Sequence, residues 1–334
     1  MDKGILSIIG NTPLVELTRV FRDAPVRVYA KLEGFNPGGS TKDRPAFAII
    51  RNAVEAGHVG PGSVVIESSS GNMGIGLAQA CSFYGLRFIC VVDPKTTALN
   101  LSLLRAYGAE VDVVTEPDPV TGEFLQARIN RVQTLLRSVA GGFWPNQYSN
   151  LYNPLAHHQT MSEIVGQLGG EVDYLFCATS TCGTMRGCAE FVRQRDLPTK
   201  IYAVDAVGSV IWGGKKTRRL IPGHGAAVRP ELYQPGLAHE CVHVTDLDCI
   251  VGCRRLVRQE AILAGGSSGA VLVALERVMH GLPPGSVCVL IFPDRGERYL
   301  DTIYSDAWVR NYFGEVAHLW QESLEVQPCV TATF

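Results

Sequence analysis

The sequence predicts an α/β protein built from two doubly wound parallel-sheet domains. Apolar, β-branched runs of strand length alternate with helix-like runs in two stretches of the chain, and Ser/Gly-rich turns join several strands to the helices that follow. Such alternation is typical of a parallel sheet with helices on both faces. With 334 residues, 46% hydrophobic and 19% charged, the chain is long enough to bury two cores.

The first stretch predicts a βαβαβ unit, because short Val- and Ile-rich runs are separated by runs with helical periodicity. Its elements, in order, are a strand at residues 64–67, a helix after Asn72, a strand at 88–92, a helix at 98–107 ended by Gly108, and a strand at 111–114. The second stretch has strands at residues 174–178, 201–205 and 287–292. We find neither internal repeats nor a low-complexity linker.

Charge and composition exclude several classes of protein. The net charge is −2 and the pI is about 6.5, and no basic face is interleaved with aromatic residues, so we expect no nucleic-acid partner. The apolar run at residues 5–9 is too short for a bilayer span or a signal sequence. We therefore expect no membrane association.

The ten cysteines predict reduced thiols. Cys90, Cys177 and Cys288 lie inside apolar strand-like runs, and no C-x-x-C pair suggests zinc, so we expect no metal site. Cys249 and Cys253 share one face of a predicted helix and are expected in the core. Reduced thiols indicate a cytoplasmic protein.

Lys42 follows a Gly/Ser-rich turn in residues 36–44 (NPGGSTKDR) and begins an apolar, helix-like run. A lysine held at the end of such a turn can form a Schiff base with a carbonyl compound such as pyridoxal phosphate. The alternative is a solvated surface lysine, and this segment alone does not decide between the two.

Two further Ser/Gly-rich loops occupy the same kind of position in the predicted fold. Residues 67–74 (ESSSGNMG) and residues 180–184 (STCGT) each follow a predicted strand and precede a helix. The first N–H groups of a helix have no partner within it and lie at the positive end of its dipole. Each loop is therefore an anion site, the first suited to a substrate carboxylate and the second to a phosphate monoester.

The order of these motifs resembles that of the fold-type II pyridoxal-phosphate enzymes, the tryptophan synthase β-like family that includes cysteine synthase and cystathionine β-synthase. The markers are residues 10–14 (GNTPL), 36–44, 69–72 (SSGN), 180–184, 264–270 (AGGSSGA) and 293–299 (PDRGERY). The resemblance covers residue 4 to about residue 313. It implies that pyridoxal 5'-phosphate binds in the cleft between the two domains.

The resemblance also implies domain boundaries. The smaller, mobile N-terminal domain would comprise residues 1–12 and 35–148 and carry the carboxylate loop. The larger domain would comprise residues 13–34 and 149–314 and carry the phosphate loop. After Gly314 the periodic pattern ends, so residues 315–334 are expected to form a flexible C-terminal tail.

Residue roles follow from the same resemblance. Lys42 would be the catalytic Schiff-base lysine, Asn72 the partner of the cofactor's ring hydroxyl, and Ser267 the partner of its pyridine nitrogen. The cofactor phosphate would lie against Ser180, Thr181, Cys182, Gly183 and Thr184. The substrate carboxylate would lie against Ser69, Ser70, Gly71 and Met73.

Several residues that differ from the cysteine synthase pattern indicate which second substrate the protein uses. Met73 replaces a threonine, Ser180 replaces a glycine, and Tyr148 replaces a phenylalanine after Gln147. Added hydroxyls suit a polar second substrate better than sulfide, although drift at tolerant positions remains an alternative. Arg295 replaces a serine often found in its motif, which leaves Ser267 as the predicted partner of the ring nitrogen.

Two arginines complete the predicted substrate site. In residues 124–139 the apolar residues form one helical stripe, and Arg128 projects from within it. Arg128 either binds a substrate carboxylate or pairs with a protein carboxylate. Arg219 ends a basic run before a segment that resembles the family's mobile active-site loop, so it is predicted to meet a phosphate leaving group.

The departures most resemble the branch of the family that makes N-(2-amino-2-carboxyethyl)-L-glutamate from O-phospho-L-serine and L-glutamate. That β-replacement supplies 2,3-diaminopropionate to siderophores and peptide antibiotics. The alternatives are a cysteine synthase that uses O-acetyl- or O-phosphoserine and sulfide, a pyridoxal-phosphate lyase, and a non-catalytic homologue. We expect small amino-acid substrates and a homodimer.

Overall fold

A computed structural model describes residues 4–321. In that range the ten strands, β1 to β10, are Leu14–Glu16, Arg27–Leu32, Val64–Ser68, Arg87–Val92, Glu110–Val113, Gly142–Phe143, Tyr174–Ala178, Lys200–Ala206, Glu240–Val244 and Val287–Phe292. The ten α-helices, α1 to α10, are Asp43–Glu55, Asn72–Tyr84, Ala98–Ala106, Phe124–Ser138, Tyr152–Gln167, Gly183–Gln194, Asp246–Arg255, Gly266–Val278, Asp306–Phe313 and His318–Gln321. No helix in residues 4–321 is long and apolar enough to cross a membrane.

The strands form two sheets. The larger has the order β1-β2-β10-β7-β8-β9, in which only the β1–β2 pair is antiparallel. The smaller has the order β5-β4-β3-β6 and is entirely parallel. The predicted βαβαβ unit is confirmed as β3-α2-β4-α3-β5, whereas β6 carried too little pattern in two residues to be predicted.

Helices cover both faces of each sheet. Along β7, Phe176 belongs to the core shared with α7 and α8, and its neighbours Leu175 and Cys177 belong to the core shared with α5 and α6. This alternation follows from the two-residue period of a strand. In the smaller sheet, α1 to α3 pack on one face and α4 on the other. The doubly wound prediction is therefore confirmed.

The described cysteines are all free thiols. Cys249 and Cys253 are buried in the core of the larger sheet, as predicted from their shared helical face.

The predicted flexible tail is wrong for its first seven residues. Residues 318–321 form α10, and Trp320 is buried against the core of the larger sheet, where the Arg254 guanidinium lies 5.3 Å from its ring centroid. A short helix held by one aromatic side chain has too weak a sequence pattern to be recognised. The remainder of the tail, 322–334, lies outside the described residues.

The loops that carry the predicted motifs lie at the carboxyl ends of the parallel strands. Residues 69–71 follow β3, residues 179–182 follow β7, and residues 293–295 follow β10. In open α/β sheets, ligands bind at this end because helix N-termini and strand ends meet there.

Candidate active site

Lys42 lies immediately before α1, where the chain contacts both sheets. The preceding residue, Thr41, donates its backbone N–H to the carbonyl of Pro293 at 2.7 Å, which attaches the segment to the end of β10. On the other side, Gly76 lets α2 approach closely, since a Cβ there would lie 3.1 Å from the Lys42 carbonyl oxygen. Lys42 is thus held between the larger sheet and α2.

The Lys42 side chain lies in a poorly solvated environment. Burial lowers the pKa of its amine to about 8, although Cys182 and Asp294 oppose the shift. An amine with a pKa near 8 is partly unprotonated at neutral pH, so it can act as a nucleophile or a base.

The loop after β3 is stabilised by a hydrogen bond between its own residues. The Ser69 hydroxyl oxygen accepts the backbone N–H of Gly74 at 2.9 Å. At the helix N-cap, Gly71 has no atom within 4 Å of the place where a Cβ would lie, so this side of the turn is open. Ser70 carbonyl accepts a hydrogen bond from the Asn100 side chain at 3.0 Å. The N-terminus of α2 is therefore accessible to a small anion.

Asn72 contacts a carboxylate that the sequence did not single out. Its Nδ2 donates to Oδ2 of Asp294 at 2.8 Å, and the Tyr299 hydroxyl donates to the same oxygen. Burial raises the pKa of Asp294, against the hydrogen bonds from Tyr299 and Asn72. The other oxygen, Oδ1, is buried and has no hydrogen-bond partner in the described chain.

The expectation that Met73 shapes the substrate pocket is wrong for its side chain. Met73 is 2% exposed and belongs to the apolar core formed by α1, α2 and the smaller sheet. A thioether suits that core, whereas a threonine hydroxyl would need a partner there. Only the backbone of Met73 remains available to a substrate.

The loop after β7 lies against α5. Cys182 adopts a left-handed backbone conformation, with φ of 65°, and its side chain packs with Ile211 and Leu232. Gly183 leaves room for the Asn153 side chain, because a Cβ there would lie 2.0 Å from Oδ1 of Asn153. The Thr181 hydroxyl oxygen accepts the backbone N–H of Gly183 at 3.3 Å. Hydroxyls and helix N–H groups thus surround the start of α6.

A second polar cluster lies beside the carboxyl end of β3. The carboxylate of Glu67 accepts hydrogen bonds from the Trp144 ring N–H at 3.0 Å and from the Gln147 backbone N–H at 3.2 Å. Burial raises the pKa of Glu67 to about 7, although these hydrogen bonds and the charge of Arg128 oppose the shift. Gln147 also donates its side-chain amide to the Ser68 carbonyl at 3.3 Å.

Arg128 is buried on α4, so its predicted inward orientation is confirmed. Its Nε lies 3.3 Å from Oδ2 of Asp93, but the N–H groups do not point at that carboxylate. Nε and Nη1 are buried and have no hydrogen-bond partner within residues 4–321. Burial raises the pKa of Tyr148, and the Arg128 charge opposes the shift.

The structure places the remaining predicted residues as follows. Ser267 is the second residue of α8 and is almost buried. Arg295, at the position of the family's serine, is exposed and lies 3.8 Å from Glu297. Arg219 donates Nη1 to the carbonyl of His224 at 2.7 Å, so its guanidinium is engaged within its own loop.

Comparison with known proteins identifies the family. The family described as pyridoxal-phosphate dependent enzyme matches residues 5–294. The chain belongs to this family.

Two relatives named N-(2-amino-2-carboxyethyl)-L-glutamate synthase are similar over nearly the whole chain. The one from Cupriavidus metallidurans is 47% identical over 310 residues, which are 91% of this chain and 90% of the relative. The one from Ralstonia nicotianae is 46% identical over 308 residues, which are 92% and 91%. The crystal structure of a cysteine synthase from Entamoeba histolytica matches with a TM-score of 0.84 at 35% identity and covers 91% of each chain.

The residues present fit the cofactor of a pyridoxal-phosphate dependent enzyme. Lys42 supplies an amine with a lowered pKa. Its neighbour Thr41 is hydrogen-bonded to Pro293 after β10, and Asp294, the next residue, accepts a hydrogen bond from Asn72 of α2, so the lysine, the end of β10 and the start of α2 converge. The buried oxygens Oδ1 of Asp294 and Oδ1 of Asn153, which lack hydrogen-bond partners within residues 4–321, and the N–H groups at the start of α6, which have no partner within the helix, add polar capacity. The loop after β7 would hold the phosphate and Asn72 would reach the ring.

Sequence reasoning missed several polar residues that support this site. Asp294 lies within the motif of residues 293–299, and Glu67 lies where a predicted strand meets the motif of residues 67–74, but neither pattern indicates a role for the carboxylate. Asn153 and His157 lie one helical turn apart on α5 and are both buried. Buried polar residues spaced by four on a helix are a detectable signal, because they must face a polar partner.

Proposed function

We propose that the protein catalyses the β-replacement of phosphate in O-phospho-L-serine by the α-amine of L-glutamate. The products are N-(2-amino-2-carboxyethyl)-L-glutamate, a precursor of L-2,3-diaminopropionate, and phosphate. The proposal is supported by the two relatives that carry this name. The structural observation that carries it is the buried Arg128 guanidinium, in which two nitrogens, Nε and Nη1, lack hydrogen-bond partners within residues 4–321 although Nε lies 3.3 Å from Asp93.

Arg128 argues for a nucleophile that carries a carboxylate. Leaving a buried guanidinium N–H without a partner costs free energy, and a substrate carboxylate would satisfy it with charge-assisted hydrogen bonds. Sulfide, the nucleophile of a cysteine synthase, has no such group. The charge of Arg128 acts on the pKa of Tyr148, and Gln147, the preceding residue, holds this segment against β3. We assign these residues and Ser180 to the glutamate site.

The first substrate would bind between α2 and Lys42. Ser69, Ser70, Gly71 and the backbone of Met73 at the start of α2 would receive its carboxylate. Lys42, when released from the cofactor, would remove the Cα proton, which the lowered pKa of its amine allows near neutral pH. Bound pyridoxal phosphate would supply an electron-withdrawing ring that stabilises negative charge at Cα.

The remaining assignments concern the cofactor and the leaving group. We assign residues 180–184 to the cofactor phosphate, Asn72 to the ring hydroxyl and Ser267 to the pyridine nitrogen. Arg219 is assigned to the departing phosphate, which requires it to exchange the His224 carbonyl for the substrate. The smaller domain is proposed to move as a unit, and the protein is proposed to be cytoplasmic and to act in siderophore or antibiotic biosynthesis.

The test separates the two halves of the reaction in Arg128→Ala. We expect phosphate release from O-phospho-L-serine to continue, and the use of L-glutamate to fall about 100-fold, because losing charged hydrogen bonds worth about 3 kcal/mol gives roughly two factors of ten. Phosphate release and product mass are measured separately. Arg131→Ala is the matched control, because Arg131 lies on the same helix, is 43% exposed and pairs with Asp112.

Each competing function gives a different result. A cysteine synthase would use sulfide in preference to L-glutamate, a lyase would release pyruvate without any nucleophile, and a non-catalytic homologue would release no phosphate. If Arg128→Ala slows phosphate release from O-phospho-L-serine alone as strongly as it slows product formation with L-glutamate, Arg128 serves the first substrate. The amounts of product formed from O-acetyl-L-serine and from O-phospho-L-serine are compared by mass. In Arg219→Ala the difference between the two substrates is expected to become smaller.

We also propose a homodimer. Ile5 and Ile8 in the N-terminal 3-10 helix, together with Leu151 and Leu155 near the start of α5, are exposed, and Leu155 lines a cavity of about 320 Å³ that this helix and α1 also border. Exposed apolar clusters are covered in subunit interfaces. Light scattering should give a dimer mass for the wild type and a monomer mass for Leu155→Asp, with Val120→Asp, 90% exposed elsewhere, remaining dimeric.

A further inference from the structure

His157 is buried directly behind the loop after β7. It is fully buried on α5, and each of its ring nitrogens faces a threonine hydroxyl: Nδ1 lies 3.1 Å from Oγ1 of Thr160, and Nε2 lies 3.2 Å from Oγ1 of Thr184. Gly187 permits this approach of α6 to α5, because a Cβ there would lie 2.0 Å from the Pro154 carbonyl oxygen and 2.7 Å from the His157 Cβ.

The surroundings keep His157 neutral. Burial lowers the pKa of its imidazole well below the ordinary value, and the positive charges of Lys42, Arg44 and His158 lower it further. A neutral imidazole has one N–H donor and one bare nitrogen acceptor. With a hydroxyl at each nitrogen, His157 must therefore donate to one threonine and accept from the other.

The phosphate decides the direction of these hydrogen bonds. A phosphate dianion only accepts hydrogen bonds, and a threonine hydroxyl has a single hydrogen. If that hydrogen pointed at His157, Thr184 would present lone pairs to the phosphate and repel it. If Nε2–H donates to Thr184 instead, the Thr184 hydrogen is free to point at the phosphate, and Nδ1 accepts from Thr160.

We propose that His157 is a positioning residue for the cofactor phosphate, which as the Nε2–H tautomer donates to Thr184 and turns the Thr184 hydroxyl hydrogen towards the phosphate. The inference rests on the proposed assignment of residues 180–184 to that phosphate. His157 lies on the neighbouring helix α5 and does not touch the cofactor. Its hydrogen bond determines whether Thr184 presents its hydroxyl hydrogen or its oxygen lone pairs to the cofactor phosphate.

The first test reads the tautomer in the wild-type holoenzyme. Histidine labelled with ¹⁵N reports by NMR which ring nitrogen carries the proton, and the signal lost in His157→Gln assigns the residue. We expect Nε2–H, with no protonation of His157 as the pH falls through about 6.5, the ordinary histidine value. A proton on Nδ1, or titration near that pH, would overturn the proposal whether or not any variant folds.

The second test compares cofactor binding in variants. His157→Leu frees the Thr184 hydroxyl to rotate and should weaken the binding of pyridoxal phosphate about tenfold, as expected for one lost hydrogen bond to a charged group. His157→Gln keeps an N–H donor and should recover most of that loss. His158→Gln is the matched control, because His158 is the next residue, is more exposed and faces Glu190.

Three outcomes are distinguishable. A wild type that binds no pyridoxal phosphate contradicts the proposed function itself. A wild type that binds it, with His157→Leu equal in affinity and in the ³¹P chemical shift of the bound phosphate, contradicts only the role of His157. If His157→Leu and His157→Gln weaken binding equally and lower the apoprotein's thermal stability equally, His157 acts by packing and the proposal is wrong.

Discussion

At the scale of single residues, burial changes the chemistry of the ionisable groups in the candidate active site. It lowers the pKa of the Lys42 amine to about 8 and raises the pKa of the Glu67 carboxyl to about 7. Both groups therefore exist as mixtures of charged and neutral forms near physiological pH. Perturbed groups that cluster in a cleft are typical of active sites.

The lowered pKa of Lys42 predicts how the apoprotein takes up its cofactor. Only the unprotonated amine attacks the pyridoxal carbonyl, so the rate of attachment should rise with pH, reach half its limit near the pKa of about 8 and level off above about pH 9. The rate is measured by absorbance after mixing apoprotein with pyridoxal phosphate.

Two variants control this measurement. Lys42→Arg should give no covalent attachment, whereas Lys200→Arg, which changes an exposed lysine at the start of β8, should behave like the wild type. A rate that keeps rising towards pH 10 would show that Lys42 is solvated like a surface lysine.

At the scale of elements, glycines set how closely helices pack behind the site. Gly252 of α7 and Gly269 of α8 face each other, since a Cβ on Gly252 would lie 2.4 Å from the Gly269 carbonyl oxygen and one on Gly269 would lie 2.1 Å from the Cys249 carbonyl oxygen. The obstructing atoms are backbone and cannot rotate away. The same contact positions the first turn of α8, which carries Ser267.

Gly269→Ala should therefore destabilise the fold by about 1 to 3 kcal/mol, the usual cost of overpacking a core. Gly166→Ala is the matched control: Gly166 lies in α5 and has no atom within 4 Å of its Cβ position. That change should stabilise the protein by about 0.5 to 1 kcal/mol, because alanine loses less backbone entropy in a helix. Urea unfolding of each apoprotein gives both values, and a loss of stability in both variants would contradict the packing argument.

At the scale of the whole molecule, a buried charge network joins the two sheets. Arg44 of α1, in the smaller unit, lies 2.6 Å from the Glu33 carboxylate and 2.7 Å from the Glu163 carboxylate of α5. Lys31 of β2 lies 2.8 Å from the same Glu163. Since these side chains are almost fully buried, removing one member would leave an uncompensated charge and cost about 3 to 5 kcal/mol.

This network predicts loss of stability in acid. Burial alone would raise the pKa of Glu163, but hydrogen bonds and charges from Arg44 and Lys31 lower it from 4.5 to about 2. A carboxyl group whose folded pKa lies below its unfolded pKa stabilises the fold above the unfolded value, and that contribution is lost as the pH falls from about 4.5 to about 2.

Unfolding free energies measured against pH should show this loss in the wild type. In Glu163→Gln the protein should be less stable at pH 7 and should lose less stability on acidification. Glu171→Gln is the control, because Glu171 is 71% exposed in its pair with Arg27. Equal acid slopes for the wild type and Glu163→Gln would mean that the network does not contribute to the pH dependence.

The sequence by itself determined the longer apolar strands of both sheets, the turns that follow them and the family. Strands β7 and β10 begin and end where the apolar runs predict, and α4 begins at the predicted Phe124, because strand and helix periods and Ser/Gly turns are local properties of the chain. The ordered motifs identified a pyridoxal-phosphate dependent enzyme for the same reason. The inward position of Arg128 also followed from helical periodicity alone.

Only the tertiary structure decided which side chains meet. Arg128 lies close to Asp93, and Asn72 contacts Asp294, although each pair is distant in sequence. Met73 and Trp320 are buried because neighbouring elements pack against them. His157 and Thr184 are 27 residues apart and meet only because α5 packs on α6. Periodicity tells which face of an element is buried, but the partner of that face depends on how the elements pack.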